Sequence, residues 1–277
     1  MEHAIILHSI VPVRAEAREG AEQNTQLLFG ELCEVINTLP RWMRVRNEAD
    51  NEEGFVDSKM VTLLSEQEYA SYAAALAAST ARVALPMTYA VSANNGQTLP
   101  LTMGTRLANY HDGQFDLLGV SFRIDATAVA EQPLPLGEQT LMQVTRFLLN
   151  TPYLWGGKNA LGMDCSGLTQ TVMSLFGIGL PRNASQQVKC GKEIKNLQDG
   201  KAGDLVFFDH ADPNKDNTEP NNCKGDTRIT HVGILLDSQR VIHCSGRVKI
   251  EHIDPRGIFG AEQRVYTHHL AAIRRMV

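Results

Sequence analysis

Apolar residues are spaced differently in three parts of the chain. Residues 1–64 carry short apolar runs between polar or turn-forming stretches, which is typical of a small β-barrel. A second strand-rich block follows over residues 82–124. After a proline-containing linker at residues 131–137, residues 138–149 show helical spacing, and a glycine-rich segment, another helix and three strand-like runs come next. The main boundary is therefore expected near residue 135.

An alanine-rich segment, Ser65–Thr80, separates the two strand-rich blocks. Ser65 and Glu68 have the spacing of a capping box, which predicts a helix that begins there.

Composition and charge exclude several classes of protein. The chain of 277 residues has 43% hydrophobic residues and a formal net charge of −5, which argues against a nucleic-acid partner. No apolar stretch approaches the roughly 18 residues of a membrane-spanning helix. Glu2 and His3 stand where a secretory signal would carry Lys or Arg, so we expect a cytoplasmic protein, or a periplasmic or secreted one if a signal has been removed.

The cysteines raise the question of a reactive thiol. There are five of them at wide spacing and no Cys-x-x-Cys pair, so structural zinc and thioredoxin-type chemistry are weak interpretations. Cys165 differs from the others because a Gly-rich approach precedes it and helical apolar spacing follows it. At a helix N-terminus, unpaired N–H groups favour a thiolate and could hold an oxyanion. Cys165 is the candidate nucleophile.

Two histidines could activate this thiol. His231 begins one strand-like run and His243 lies in the next, with a polar turn between them. Antiparallel pairing would bring the two rings side by side, so that one deprotonates Cys165 while the other fixes its tautomer.

Six motifs occur together in one order, and with them the chain resembles the NlpC/P60 cysteine peptidases of bacterial cell-wall peptides. The similarity covers roughly residues 138–277, and the part before it resembles bacterial SH3-like barrels more weakly. The motifs are Tyr153-x-Trp155-Gly-Gly157, Asp164-Cys165-Ser166-Gly167, Leu180-Pro181-Arg182, Gly203–Phe208, His231-Val-Gly-Ile234 and His243.

The resemblance implies an α+β fold, with a papain-like catalytic domain behind two small all-β barrels. The subgroup it points to, the YkfC-like enzymes, cleaves the γ-D-glutamyl–diamino acid bond of murein peptides. The expected domains are a first barrel at 1–64, a helical connector at 65–80, a second barrel at 81–131 and the peptidase domain at 132–277.

The resemblance also assigns roles to the catalytic residues. Cys165 would attack the amide carbonyl, His231 would act as base and then acid, and His243 would orient His231. Tyr153 would help to hold the oxyanion. No metal or cofactor is implied. Four further residues would line the pocket for the D-Glu unit: Trp155, Asp164, Ser166 and Arg182.

The resemblance further implies that the first barrel contacts the free amine of an N-terminal L-Ala. Glu31 is the candidate acid, with Tyr69 as the assisting tyrosine and Tyr72 as the second choice. Related enzymes usually carry Asp-Ser after the Arg of the third motif, whereas this chain has Asn183 and Ala184. The missing charge predicts a changed or weaker preference at the substrate amine.

Two alternatives stay open at this point. One is an acyltransferase or amidase that uses the same Cys-His site, and the other is a non-catalytic protein that binds cell-wall peptides. The polar stretch 210–228 has half of a calcium-loop spacing and is expected to be a solvated loop. The expected partner is a murein peptide, with no nucleic acid and no membrane span. The diamino acid and the oligomeric state are not determined by the sequence, although a monomer is expected.

Overall fold

The computed structural model describes residues 2–210 and 229–277. The predicted polar loop therefore lies almost entirely outside the described residues. The described chain forms two compact units. The first comprises Met1–Leu134 and Trp155–Ala160, and the second comprises Pro135–Leu154 and Leu161–Val277.

The first unit begins with an antiparallel sheet in the order β3-β2-β6-β5-β4-β1-β7. Side chains such as Val11, Val13 and Val56 alternate inward from these strands and fill a core around Leu27 and Val45. The strands are β1 (Glu2–Ile5), β2 (Ile10–Arg14), β3 (Gln23–Leu28), β4 (Leu32–Thr38), β5 (Trp42–Asn47), β6 (Glu53–Asp57) and β7 (Thr62–Leu64), with a 3-10 helix at Ser58–Met60.

Helix α1 (Glu66–Ala78) follows, and its predicted capping box is present: Ser65 is the N-cap and Glu68 completes the box. Its apolar face packs into a core that it shares with a second set of strands. Four of these strands form a sheet in the order β10-β9-β12-β11. The strands are β8 (Arg82–Val83), β9 (Met87–Ser92), β10 (Thr98–Thr102), β11 (Gln114–Leu117), β12 (Val120–Ile124), β13 (Val129–Ala130) and β14 (Lys158–Asn159), with a 3-10 helix at Ala126–Ala128.

The second unit is built on a sheet in the order β16-β22-β17-β18-β19-β20-β21, in which β22 also pairs with β21. Helix α3 packs against β18 and β19. The elements are α2 (Glu138–Thr145), β15 (Gly162–Met163), α3 (Cys165–Ser174), α4 (Ala184–Gln187), β16 (Lys192–Glu193), a 3-10 helix at Leu197–Asp199, β17 (Leu205–His210), β18 (His231–Leu235), β19 (Arg240–Ser245), β20 (Arg247–Asp254), β21 (Gly257–Gly260) and β22 (Val265–Arg275).

The predicted α+β class, with an all-β region ahead of a mixed domain, is confirmed. In the part of the chain that the structure describes, no helix has the length and apolar character needed to cross a membrane.

Candidate active site

Cys165 is the first residue of α3. Asp164 is its N-cap, and the Asp164 carboxylate accepts a 2.7 Å hydrogen bond from the backbone N–H of Gly167. Backbone N–H groups of Val232 and Ser166 also point at the Cys165 sulfur. Because Val232 follows His231 in β18, the sulfur lies beside the start of that strand.

The N-terminus of α3 is held by a buried polar cluster. Arg182 is 1% exposed and makes a fork with Asp164, through Nη2 to Oδ2 at 2.6 Å and Nη1 to Oδ1 at 3.0 Å. Arg182 Nη1 also donates to Ser166 Oγ at 2.8 Å. This bidentate pair orients the turn before Cys165. The predicted contacts of these three residues with substrate stay predictions, and the structure shows them bonded to one another.

Three side chains form a hydrogen-bonded relay on adjacent strands. His231 Nε2 and His243 Nδ1 are 2.8 Å apart, and His243 Nε2 is 2.8 Å from Glu251 Oε2. The two rings lie side by side as the sequence predicted. Glu251, on β20, was not predicted.

The relay fixes the proton positions. The Glu251 carboxylate can only accept, so His243 Nε2 carries a hydrogen and donates to it. In neutral His243 the Nδ1 atom then accepts from His231 Nε2–H. This leaves His231 Nδ1 unprotonated, and within residues 2–210 and 229–277 no hydrogen bond engages it. His231 is therefore set up as a base at Nδ1.

A glycine makes room for the relay. Gly233 lies opposite His243 in the pairing of β18 with β19. A Cβ atom at Gly233 would lie 2.6 Å from Val241 Cγ2, 2.9 Å from the Ile242 carbonyl oxygen and 3.1 Å from His243 Cβ. Any larger residue would displace the strand that carries His243.

Burial keeps both the Cys165 thiol and the His231 ring neutral. Burial raises the pKa of Cys165 to about 11, with a further contribution from the Asp164 charge, although the N–H groups of Val232 and Ser166 and the Arg182 charge lower it. Burial and the neighbouring His243 and His268 rings lower the pKa of His231 well below its ordinary value. Burial thus opposes the thiolate that was expected at the helix N-terminus, because desolvation outweighs the two N–H groups and the Arg182 charge.

Two more residues surround the relay. His268, on β22, lies over His231 with ring centroids 4.3 Å apart. Lys249 Nζ is 3.1 Å from Glu251 Oε2 and shares the carboxylate with His243. Neither was predicted, because their positions follow from strand register and not from a local motif.

Tyr153 is the predicted oxyanion residue. Its backbone N–H donates to the Gly246 carbonyl at 2.9 Å. Burial, together with the nearby Cys165 and Asp164 side chains, raises the pKa of the Tyr153 phenol far above its ordinary value. The hydroxyl therefore keeps its proton and can donate a hydrogen bond.

The first unit holds the predicted amine-binding acid. Glu31 is paired with the buried Lys158, whose Nζ lies 3.0 Å from Oε1 and 3.3 Å from Oε2. Glu31 Oε2 also accepts from the Leu28 N–H at 3.0 Å. The Glu31 carboxylate is thus engaged by a cation of the chain itself.

The remaining predicted residues are spread over both units. Tyr69 stacks on His3 with ring centroids 3.6 Å apart. The Tyr72 hydroxyl donates to the carbonyl of Gly30, the residue before Glu31, at 3.1 Å. Trp155 is 58% exposed in the first unit. In the second unit, Asn183 precedes α4 and its N–H donates to Gln186 Oε1 at 3.1 Å. Their substrate roles stay predictions.

The residues of this site lie in a part of the chain that is similar to a known family. The model of the NlpC/P60 family matches residues 150–268, which include Cys165, the relay and His268.

Two bacterial proteins to which the chain is similar are named gamma-D-glutamyl-L-lysine dipeptidyl-peptidase. The Bacillus subtilis protein is 33% identical over 54% of this chain and 44% of its own length. The Bacillus cereus protein is 28% identical over 52% of this chain and 37% of its own length. The chain thus spans less than half the length of these curated relatives.

Solved structures share the fold of the whole chain. An NlpC/P60 family protein from Bacillus cereus superposes with a TM-score of 0.76 at 18% identity, covering 99% of each chain. An NlpC/P60 endopeptidase from Photobacterium damselae subsp. piscicida has a TM-score of 0.70 at 15% identity, covering 98% of this chain and 70% of its own. At this identity the likeness concerns the fold alone.

Proposed function

We propose that the chain is a cysteine peptidase that hydrolyses the γ-D-glutamyl–diamino acid bond of murein peptides. The observation that carries the proposal is the relay of His231, His243 and Glu251 beside a cysteine at the start of α3. The names of the two similar Bacillus proteins support the choice of bond.

The reaction would proceed through an acyl-enzyme. Cys165 Sγ attacks the amide carbonyl while its proton passes to His231 Nδ1, so that charge develops only as the bond forms. The backbone N–H at Cys165 and the Tyr153 hydroxyl stabilise the oxyanion. His231 then gives its proton to the departing amine. A water molecule, deprotonated by the same nitrogen, resolves the thioester.

His243 and Glu251 would act on His231 and not on the substrate. When His231 takes a proton, its positive charge is stabilised through His243 by the Glu251 carboxylate. This stabilisation offsets part of the desolvation cost that burial imposes on the charged His231 ring.

Incubation with L-Ala-γ-D-Glu-diaminopimelate and its L-Lys counterpart, followed by mass spectrometry, tests the proposal. We expect L-Ala-D-Glu and the free diamino acid from wild type and none from Cys165→Ala. A Cys165→Ala protein that still binds peptide shows that the loss is chemical. Wild-type protein that binds the peptides and cleaves neither would contradict the proposal, and would favour a peptide-binding role.

We further propose that recognition of the substrate's N-terminal amine is weak. Asn183 is uncharged, and Glu31 is already paired with Lys158. Neither residue supplies a free carboxylate for an ammonium group. Peptides with free and acetylated L-Ala amines should therefore differ by less than about ten-fold in kcat/KM. Strong selection for the free amine would overturn this proposal.

A further inference from the structure

Two partly buried arginines of the first unit lie side by side. Arg82 of β8 and Arg106, in the loop after β10, are antiparallel bridge partners. Arg82 Nη1 donates to the Gly104 carbonyl at 3.3 Å, and Arg106 Nη2 donates to the Leu76 carbonyl at 2.6 Å. Each guanidinium carries five N–H donors, so one acceptor apiece leaves most of them without an acceptor among the described residues.

The pair carries more positive charge than its surroundings offset. Among residues 2–210 and 229–277, no carboxylate lies within ion-pair distance of Arg82 or Arg106. Burial and the charge of Arg106 lower the pKa of Arg82 to about 10, and burial lowers the pKa of Arg106. The charge of Glu31 raises the pKa of both arginines from a longer distance, but its carboxylate is bonded to Lys158.

The two arginines therefore lie in a partly desolvated region whose nearest acting carboxylate, Glu31, is bonded to Lys158. The C-terminal end of α1, where Leu76 offers its carbonyl to Arg106, contributes only a partial negative charge. Like charges in such a place repel one another unless an anion joins them.

We propose that Arg82 and Arg106 form a binding site for a carboxylate group of a peptide ligand. Planar guanidinium forks match the two oxygens of a carboxylate, and two adjacent forks can hold one from both sides. Tyr72, whose hydroxyl lies in the field of Arg106, borders the same region. The choice of a peptide carboxylate rests on the proposed function, whereas the anion site rests on the arginines alone.

Calorimetric titration of the 277-residue Cys165→Ala chain with L-Ala-γ-D-Glu-L-Lys tests the site. Two analogues carry the D-Glu α-carboxylate or the C-terminal carboxylate as an amide. We expect one amide to weaken binding about ten-fold or more, which is the loss of a charge-assisted contact. Arg82→Gln and Arg106→Gln, each added to Cys165→Ala, should weaken binding of the parent peptide by a similar factor and leave binding of that amide unchanged.

Arg123→Gln is the matched control, since Arg123 is an exposed arginine of the same region of the unit. If the Gln variants do not fold, Arg82→Lys and Arg106→Lys keep the charge but lose the fork, and should still weaken the parent peptide several-fold. Folded arginine variants that bind every peptide like the control would overturn the site. Inorganic phosphate that binds more tightly than the peptide in an Arg82-dependent manner would overturn the carboxylate assignment.

Hydrolysis by wild type is measured separately. If wild type cleaves the peptide and the Arg82 and Arg106 substitutions do not change binding, only the anion site is contradicted. If these substitutions weaken binding and wild type does not cleave the peptide, only the proposed peptidase activity is contradicted.

Discussion

At the scale of residues, the proposed nucleophile Cys165 and its proposed base His231 are both neutral in the resting protein. Desolvation holds the proton on Cys165 and keeps protons off His231. Proton transfer from one to the other must then accompany attack, and an ion pair formed in advance is not required. This distinguishes the site from cysteine enzymes whose thiolate is stable at rest.

The reactivity of Cys165 toward iodoacetamide should therefore rise steeply with pH. With a pKa of about 11, the thiolate fraction, and with it the alkylation rate, should increase about ten-fold per unit between pH 7 and pH 10. Mass spectrometry of the peptide that contains Cys165 reports this rate apart from that of the partly exposed Cys190. A rate that is already at its plateau at pH 7 would show a stable thiolate and contradict the argument.

Glu251 should position the relay through His243. Glu251→Ala removes the acceptor at His243 Nε2, so that His243 and His231 can adopt the other tautomers and the Nδ1 base is lost. We expect kcat/KM to fall on the order of 100-fold, within the range for general-base catalysis. Steady-state kinetics on the tripeptide measures the effect.

Three variants separate this role from simple structural damage. Glu251→Gln keeps an acceptor oxygen and should recover much of the activity. Lys249→Met breaks only the second ion pair of Glu251, and Glu262→Ala removes an exposed partner of Arg247 on the same unit. Wild-type kinetics in Glu251→Ala would remove Glu251 from the mechanism.

At the scale of elements, the spacing of β18 and β19 depends on one glycine. Gly233→Ala would place a methyl group 2.6 Å from Val241 Cγ2, and β18, which carries it, is buried throughout. Overpacking of this kind costs about 1–3 kcal/mol and would move His243 away from His231. We expect a lower urea midpoint and a large loss of kcat. Gly179→Ala, where a Cβ atom meets nothing within 4 Å, should change neither.

Local motifs were enough to predict the parts of the site that lie within one element. The cap at Asp164, the helix that begins at Cys165 and the contact of two histidines on adjacent strands follow from short-range spacing. Glu251 could not be found in this way, because its contact with His243 depends on the register of β20. The pKa of Cys165 was predicted in the wrong direction, since desolvation is a property of the packed core and not of the helix end.

At the scale of the whole molecule, the chain leaves the second unit after Leu154 and returns to it at Leu161. In between, the segment Trp155–Ala160 is held in the first unit. Gln23 Nε2 donates to the Trp155 carbonyl at 3.0 Å, and Gln26 Oε1 accepts from the Lys158 N–H at 3.0 Å and from Asn159 Nδ2 at 2.8 Å. The Lys158–Glu31 ion pair is a further contact of this segment within the first unit. The segment that precedes Cys165 in sequence is thus fixed by residues far from it along the chain.

This ion pair should control how firmly the segment is held. Lys158→Met removes the cation from the partly buried Glu31 carboxylate, and Glu31→Gln removes this carboxylate from the Lys158 ammonium. Either change should lower stability by more than the intact pair contributes, because the remaining charge stays desolvated. We expect faster amide hydrogen exchange over residues 155–160 in both single variants. The double variant should exchange no faster than either single one, since it leaves neither charge unpaired. Arg44→Met, which breaks an exposed ion pair with Glu53, should leave exchange in this segment unchanged. Additive effects of the two substitutions would mean that Lys158 and Glu31 act independently on the segment.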